Sequence, residues 1–128
     1  KDNQDFYTSK ITGNNFKNTG SSSLLKSNKS SFFEDVYKVP TLSLNDLRIF
    51  DNKNILLIWV DVQGAELQVI ESGRSLFNSS DLLWIEYGES EYEQYLSREE
   101  LINLFSATHY VSLLSNRFKK GNLLLVKK

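Results

Sequence analysis

The stretch Ile55-Leu56-Leu57-Ile58-Trp59-Val60-Asp61-Val62-Gln63-Gly64-Ala65-Glu66-Leu67-Gln68-Val69-Ile70-Glu71-Ser72-Gly73 decides how this chain folds. Its opening residues, Ile55 to Val60, form the longest unbroken apolar run in the sequence. A bilayer-spanning helix needs ~20 such residues, so the run does not cross a membrane. Ile55 to Val62 is apolar on both faces, the pattern of a strand covered by helices on both sides. Gly64 marks the bend, and Ala65 to Ser72 follows as a helix with Gly73 at its C′ position.

Outward from this unit, strands and helices alternate. Leu82-Leu83-Trp84-Ile85 is a second fully apolar strand. Ser97 and Glu100 make a capping box for a helix that places Leu101, Leu104 and Phe105 on one face. Tyr110 to Leu114 and Asn122 to Val126 are two closing strands, and Asn116 to Gly121 joins them as a hairpin-like antiparallel end. On the N-terminal side, Asp51-Asn52-Lys53-Asn54 is a polar turn. Ser43 with Asp46 resembles a capping box ahead of a short helix carrying Leu44 and Leu47. Val36 to Val39 is a short strand that Pro40 stops or marks as an edge. Residues 1–31 are rich in Asn and Ser, which bond the nearby backbone and favour loops. Phe6-Tyr7 is a short strand in that stretch, and Asn18-Thr19-Gly20-Ser21 reads as a turn. The expectation is one domain, with a loop-rich arm over 1–35 and an α/β unit over 36–128 whose sheet is parallel in its centre.

Composition bounds the function. The 128 residues carry 15 basic and 16 acidic side chains, giving a net charge of −1. Such a chain lacks the broad positive field that non-specific nucleic-acid binding requires. With no Cys, disulfide frameworks, thiolate zinc sites and Cys nucleophiles are excluded. No signal peptide is legible, so the expected location is cytoplasmic. The chain opens on Lys1 and contains no Met, which suggests a processed or excised piece.

The chemistry follows from strand direction. Asp61 and Glu86 close two strands joined by one helix, so the strands should be parallel neighbours with both carboxylates at their carboxyl ends. Ligands of open α/β sheets bind at that rim. Two carboxylates there can bind ligand hydroxyls, hold a divalent cation or share general-base work, or they can be plain solvated turn residues. Glu66 in the first helical turn is explained by the helix dipole alone. His109 precedes the strand at Tyr110, which puts it at the opposite rim and makes it a connector. Trp59 and Trp84 read as core residues, and Arg117 to Gly121 as a solvated turn. Ser21-Ser22-Ser23 can bond a polyol or phosphate, or simply form a loop. No phosphate-binding glycine loop, dinucleotide fingerprint or H-E-x-x-H motif is present.

Trp59 to Gly73, with Asp61-Val62-Gln63-Gly64-Ala65-Glu66 at its heart, resembles the central signature of FkbM-type methyltransferases. Gly20-Ser21-Ser22-Ser23-Leu24-Leu25 is similar to the family's G-S-S-S-L segment. Val39-Pro40-Thr41-Leu42-Ser43-Leu44-Asn45-Asp46-Leu47 is similar to its V-x-T-L-D-D-L stretch, with Ser43 in place of the usual Asp. Trp84-Ile85-Glu86 and Gly121 to Val126 match its last strands. The resemblance implies a Rossmann-like methyltransferase sheet that is partial here, with a parallel centre and an antiparallel final strand. It implies S-adenosylmethionine as cofactor and a small-molecule or glycan hydroxyl, on a sugar, glycolipid or polyketide, as acceptor. The matched positions for the active rim are Asp61 and Glu86 as catalytic residues, with Gln63, Gly64, Glu66, Ser22 and Ser23 on the rim or a substrate loop. The family's glycine-rich cofactor loop has no counterpart in 1–128, so the chain resembles the carboxyl-terminal half of such an enzyme.

Without further strands, Ile55 to Val62 becomes an apolar sheet edge. The expectation is that another chain pairs with it, the 1–40 arm covers it, or further sequence completes it. Three readings therefore compete: the methyltransferase, a non-catalytic interaction module or homo-oligomer assembling through the open edge, and a domain binding a cation or polyol through Asp61 and Glu86.

Overall fold

The structure is a computed structural model that describes residues 2–9, 22–28, 33–48, 53–88, 92–117 and 119–128. Among these residues, six strands and three α-helices follow one another: β1 (Asp2–Ser9), β2 (Phe33–Thr41), β3 (Leu57–Val60), α1 (Glu66–Ser72), α2 (Arg74–Ser79), β4 (Leu82–Gly88), α3 (Arg98–Phe105), β5 (His109–Arg117) and β6 (Lys120–Lys127). The last four strands form one sheet in the order β3-β4-β6-β5, and β1 with β2 forms a separate two-stranded sheet. The protein is therefore a mixed α/β fold whose main sheet is partly parallel. β3 and β4 run parallel, and β6 is antiparallel to both β4 and β5.

The local signals explain most of these elements. Ser97 and Glu100 form the full reciprocal capping box at the start of α3. The closing hairpin is tight, since Arg117 pairs with Lys120. Gly73 ends α1, but for a different reason from the expected left-handed cap. Its φ is −141°, and a Cβ there would meet the Leu44 side chain at 2.7 Å. Close approach, rather than a positive φ, is what requires glycine. Ser43 starts a single 3-10 turn over Leu44–Asp46 and accepts from the Asn45 N–H, without the reciprocal bond of a capping box. Its hydroxyl also donates to the Ser72 carbonyl at 2.7 Å, tying that turn to the end of α1.

β1 is longer than the Asn- and Ser-rich composition around it suggests. β1 and β2 pair antiparallel along their length, with Phe6 opposite Tyr37 and Pro40 opposite Asn3. Pairing with a long partner overrides the local preference of Asn and Ser for loops, and an edge position tolerates the proline. β2 runs across the boundary expected at 35/36. The turn expected at Asn18 to Ser21 lies outside the described residues, as do Asp51 and Asn52 of the polar turn.

The core lies on one face of the main sheet. Val60, Leu83, Ile85, Tyr87, Leu123 and Leu125 meet Ile70 of α1, Phe77 of α2, and Leu101 and Phe105 of α3. The Phe77 and Phe105 rings sit 6.2 Å apart at the centre. The opposite face carries Leu57, Trp59, Leu82, Trp84 and Leu124, which floor an open hollow of about 530 Å³. This corrects two expectations. β3 is covered on one side only among the described residues, and Trp59 is 70% exposed rather than part of the core. Among the described residues, β1 and β2 pair with each other and no strand pairs with the outer edge of β3.

Candidate active site

Parallel pairing places Trp59 beside Trp84 and Val60 beside Ile85. Asp61 directly follows β3 and Glu86 stands near the carboxyl end of β4, which runs on to Gly88, and their side chains share a hydrogen bond. They close the polar end of the hollow together with Asn122 of β6. Burial is the main cause that pushes the Glu86 carboxyl up to about 7. The Asp61 charge, the hydrogen bond with Asp61 and the Glu66 charge act in the same direction, while Lys120 opposes them. At neutral pH, then, Glu86 exchanges a proton readily, and it sits against a second carboxyl group.

The bend after Asp61 is built from its own side chains. Gln63 has φ 54° and Gly64 φ 97°, both left-handed. Gln63 is the unusual one, since a side chain makes that conformation costly. Glu66 is 4% exposed, and one carboxylate oxygen accepts from the backbone N–H of Val62 at 3.2 Å and of Gly64 at 3.1 Å. The helix dipole was a partial account of this residue; its main work is to tie the bend. Gly64 is packed under Tyr92, and a Cβ at Gly64 would come within 2.9 Å of the Tyr92 Cβ. The Gln63 side-chain amide donates to Asp61 Oδ1 at 2.7 Å.

Of the two serines, Ser23 packs against the bend and Ser22 bonds β1. Ser22 Oγ accepts from the Ser9 N–H at 3.1 Å. Ser23 is 2% exposed; its hydroxyl donates to the Gln63 carbonyl at 2.8 Å and accepts from the Leu25 N–H at 3.0 Å. Of the rim positions read from sequence, Asp61 and Glu86 line the hollow and Gln63 is half-buried beside Asp61, whereas Gly64, Glu66 and Ser23 are buried supports.

His109 is at the opposite end of the sheet, buried, with Nε2 3.0 Å from the Ser80 carbonyl and Nδ1 2.8 Å from Thr108 Oγ1. It lies at the rim opposite Asp61 and Glu86 as expected, but as the first residue of β5, paired with Lys127, rather than in a connector. Sequence reasoning missed Asn122 and Lys120 at the rim. The signal was available in the closing hairpin, because β6 lies against β4 with Glu86 opposite Asn122 and Gly88 opposite Lys120. Among the described residues, no group of three or more His, Asp or Glu side chains is placed to hold a metal ion.

Comparison with known proteins fits this geometry. The Methyltransferase FkbM domain family model matches residues 1–117, which takes in the serine segment, the Asp61 bend and the Glu86 strand together. The chain belongs to the FkbM methyltransferase family. Over 74 residues it is 34% identical to the 2-O-methyltransferase NoeI of Sinorhizobium fredii (strain NBRC 101917 / NGR234), a match spanning 57% of this chain and 30% of that relative. This FkbM chain thus covers less than a third of the relative's length. No solved structure matches it. Among its described residues, no helix is long and apolar enough to cross a membrane.

Proposed function

We propose that this FkbM chain supplies the acceptor side of an S-adenosylmethionine-dependent O-methyltransferase, acting on a hydroxyl of a carbohydrate-type molecule or other small molecule. The observation that carries the reading is the Asp61–Glu86 pair, set on neighbouring parallel strands at the rim of an open hollow. Methyl transfer to oxygen requires the hydroxyl to lose its proton and to be held in line with the donor. A carboxylate within reach accepts the hydroxyl's hydrogen bond, orients it and takes its proton. Asp61 suits that task because it faces the open side, and Glu86 beside it carries and exchanges a proton near neutral pH. The 2-hydroxyl specificity in the relative's name supports a polyol acceptor, and the strand order supports a Rossmann-like sheet.

The methyl donor is implied by the family. The described residues do not form its cradle: the N–H groups of Val62 and Gly64, the bend's natural anion site, are already bound by Glu66. The part this chain's residues play is therefore confined to the acceptor hydroxyl. The test is transfer of a labelled methyl group from S-adenosylmethionine to a panel of oligosaccharides. Wild-type transfer that falls on the order of 10²-fold or more in Asp61→Asn supports the reading. A full-length protein, with the sequence that flanks this chain present, that transfers nothing overturns it.

One observation favours a second reading, an assembly module. Among the described residues, the outer edge of β3 has no strand partner. Sedimentation that shows a concentration-dependent dimer, abolished by a proline at Ile58, would support it.

A further inference from the structure

Both faces of the main sheet are apolar, and among the described residues helices cover only one. Val60, Leu83, Ile85, Leu123 and Leu125 meet the three helices, while their alternate neighbours Leu57, Trp59, Leu82, Trp84 and Leu124 floor the hollow. Tyr110 of β5 stands opposite Val126, two positions on from Leu124, so it continues the hollow's face, and it is 63% exposed. A sheet that keeps one face in water alternates apolar with polar residues, whereas strands covered on both faces are apolar throughout. β3 is of the second kind, and among the described residues its outer edge also lacks a strand. A broad apolar face beside an unpaired edge is a surface for association.

Chain direction says what fits there. The connection from β3 to β4 runs through α1 and α2, which lie on the covered face. Crossovers between parallel strands are right-handed, so reversing the direction of travel along a sheet moves the helix to the other face. A strand laid parallel to β3 on its free edge, in a segment that travels away from β4, therefore carries its helix over Trp59 and Trp84. One strand-and-helix segment meets both needs. A second copy of this chain does not. Two β3 edges related by a two-fold axis extend the sheet and leave each hollow without a helix. The exposed positions of the chain's own helices, among them Glu71, Ser75, Ser79, Glu99, Glu100 and Asn103, are polar and do not match an apolar floor. Length for such a segment exists in the relative, of which the aligned stretch is 30%.

We propose that the hollow and the outer edge of β3 are an internal docking surface, filled in the full-length protein by sequence that flanks residues 1–128. That sequence adds an apolar strand parallel to β3 and lays an amphipathic helix across Trp59, Trp84 and Leu57. The sheet is then doubly wound, and its winding reverses between β3 and the added strand. Ligands of such sheets bind at that reversal, outside the carboxyl ends of the strands. Asp61 directly follows β3, so the added strand supplies the wall of the crevice beside it. The inference does not depend on methyl transfer, and its test needs no turnover.

The test uses the full-length protein with the photo-crosslinker p-benzoylphenylalanine in place of Trp59. Leu57 is the second position, 49% exposed in this chain, for the case in which the first variant does not fold. After illumination, peptide mapping of the band of monomer mass should join position 59 or 57 to residues outside 1–128. Crosslinks confined to 1–128, a crosslinked band of twice the monomer mass, or no crosslink at all overturns the proposal. Hydrogen exchange reads the edge. A strand with one neighbour leaves alternate amides unpaired. In the full-length protein, all four amides of Leu57–Val60 should exchange on the order of 10²-fold or more slowly than unpaired ones. Fast exchange at alternate positions overturns the proposal as well. A full-length protein that shows the crosslink and the protection but transfers no methyl group counts against the enzyme and leaves the docking surface standing.

Discussion

Glu86 keeps a proton in the folded chain over a pH range in which an unfolded chain has lost it. Its carboxyl moves from the ordinary 4.5 up to about 7, chiefly through burial and then through Asp61. The folded state therefore binds more protons across that window, and stability falls as pH rises from about 4.5 to 7. Glu86→Gln mimics the protonated form. It should be more stable than wild type by about 1 kcal/mol at alkaline pH, a figure reduced for screening by water. The difference should vanish in acid, where both states are protonated, and urea unfolding at a series of pH values measures it. Gly64→Ala should cost about 2 kcal/mol or more in the same assay, because φ is 97° and Tyr92 closes the space. Asp61 and Glu86 as a pair were legible in the sequence because strand direction alone puts two carboxyl ends together. The inward turn of Ser23 and Glu66 was not, since whether a polar side chain meets a ligand or a backbone group depends on what the chain folds against it.

At the scale of the element, caps and turns were readable and lengths were not. The Ser97–Glu100 box depends on residues three apart, so local sequence suffices. Ser97→Ala should lower stability by about 1 kcal/mol, measured by thermal or urea unfolding, with the rim's titration unchanged. β1 and β2 were underestimated because their pairing is long-range, from Asp2 opposite Thr41 inward. α2 was not foreseen. It is short, and Phe77 anchors it only because the sheet and α3 offer a place to bury that ring. Leu44 against Gly73 is the same kind of case: glycine was legible as a helix end, and the neighbour that requires it was not.

Over the whole molecule, one face of the sheet carries the core and the other carries the hollow. Phe77→Ala should cost about 3–5 kcal/mol, because it opens a cavity among fully buried side chains. Trp59→Ala should cost under about 1 kcal/mol, because that ring stands largely in water. Paired urea titrations decide the contrast, and equal losses would show that Trp59 is covered in solution. An apolar run cannot by itself say which of its faces is covered. β3 reads the same whether helices lie on one side or on both, and only the three helices collecting on the Val60 and Ile85 side decided it. What the sequence determined was local or directional: the bend at Gly64, the α3 cap, the closing hairpin, and two carboxylates brought to one rim by parallel strands. The tertiary structure decided which face stayed open and which polar groups turned inward, because burial is a property of what is packed against a residue and not of the residue itself.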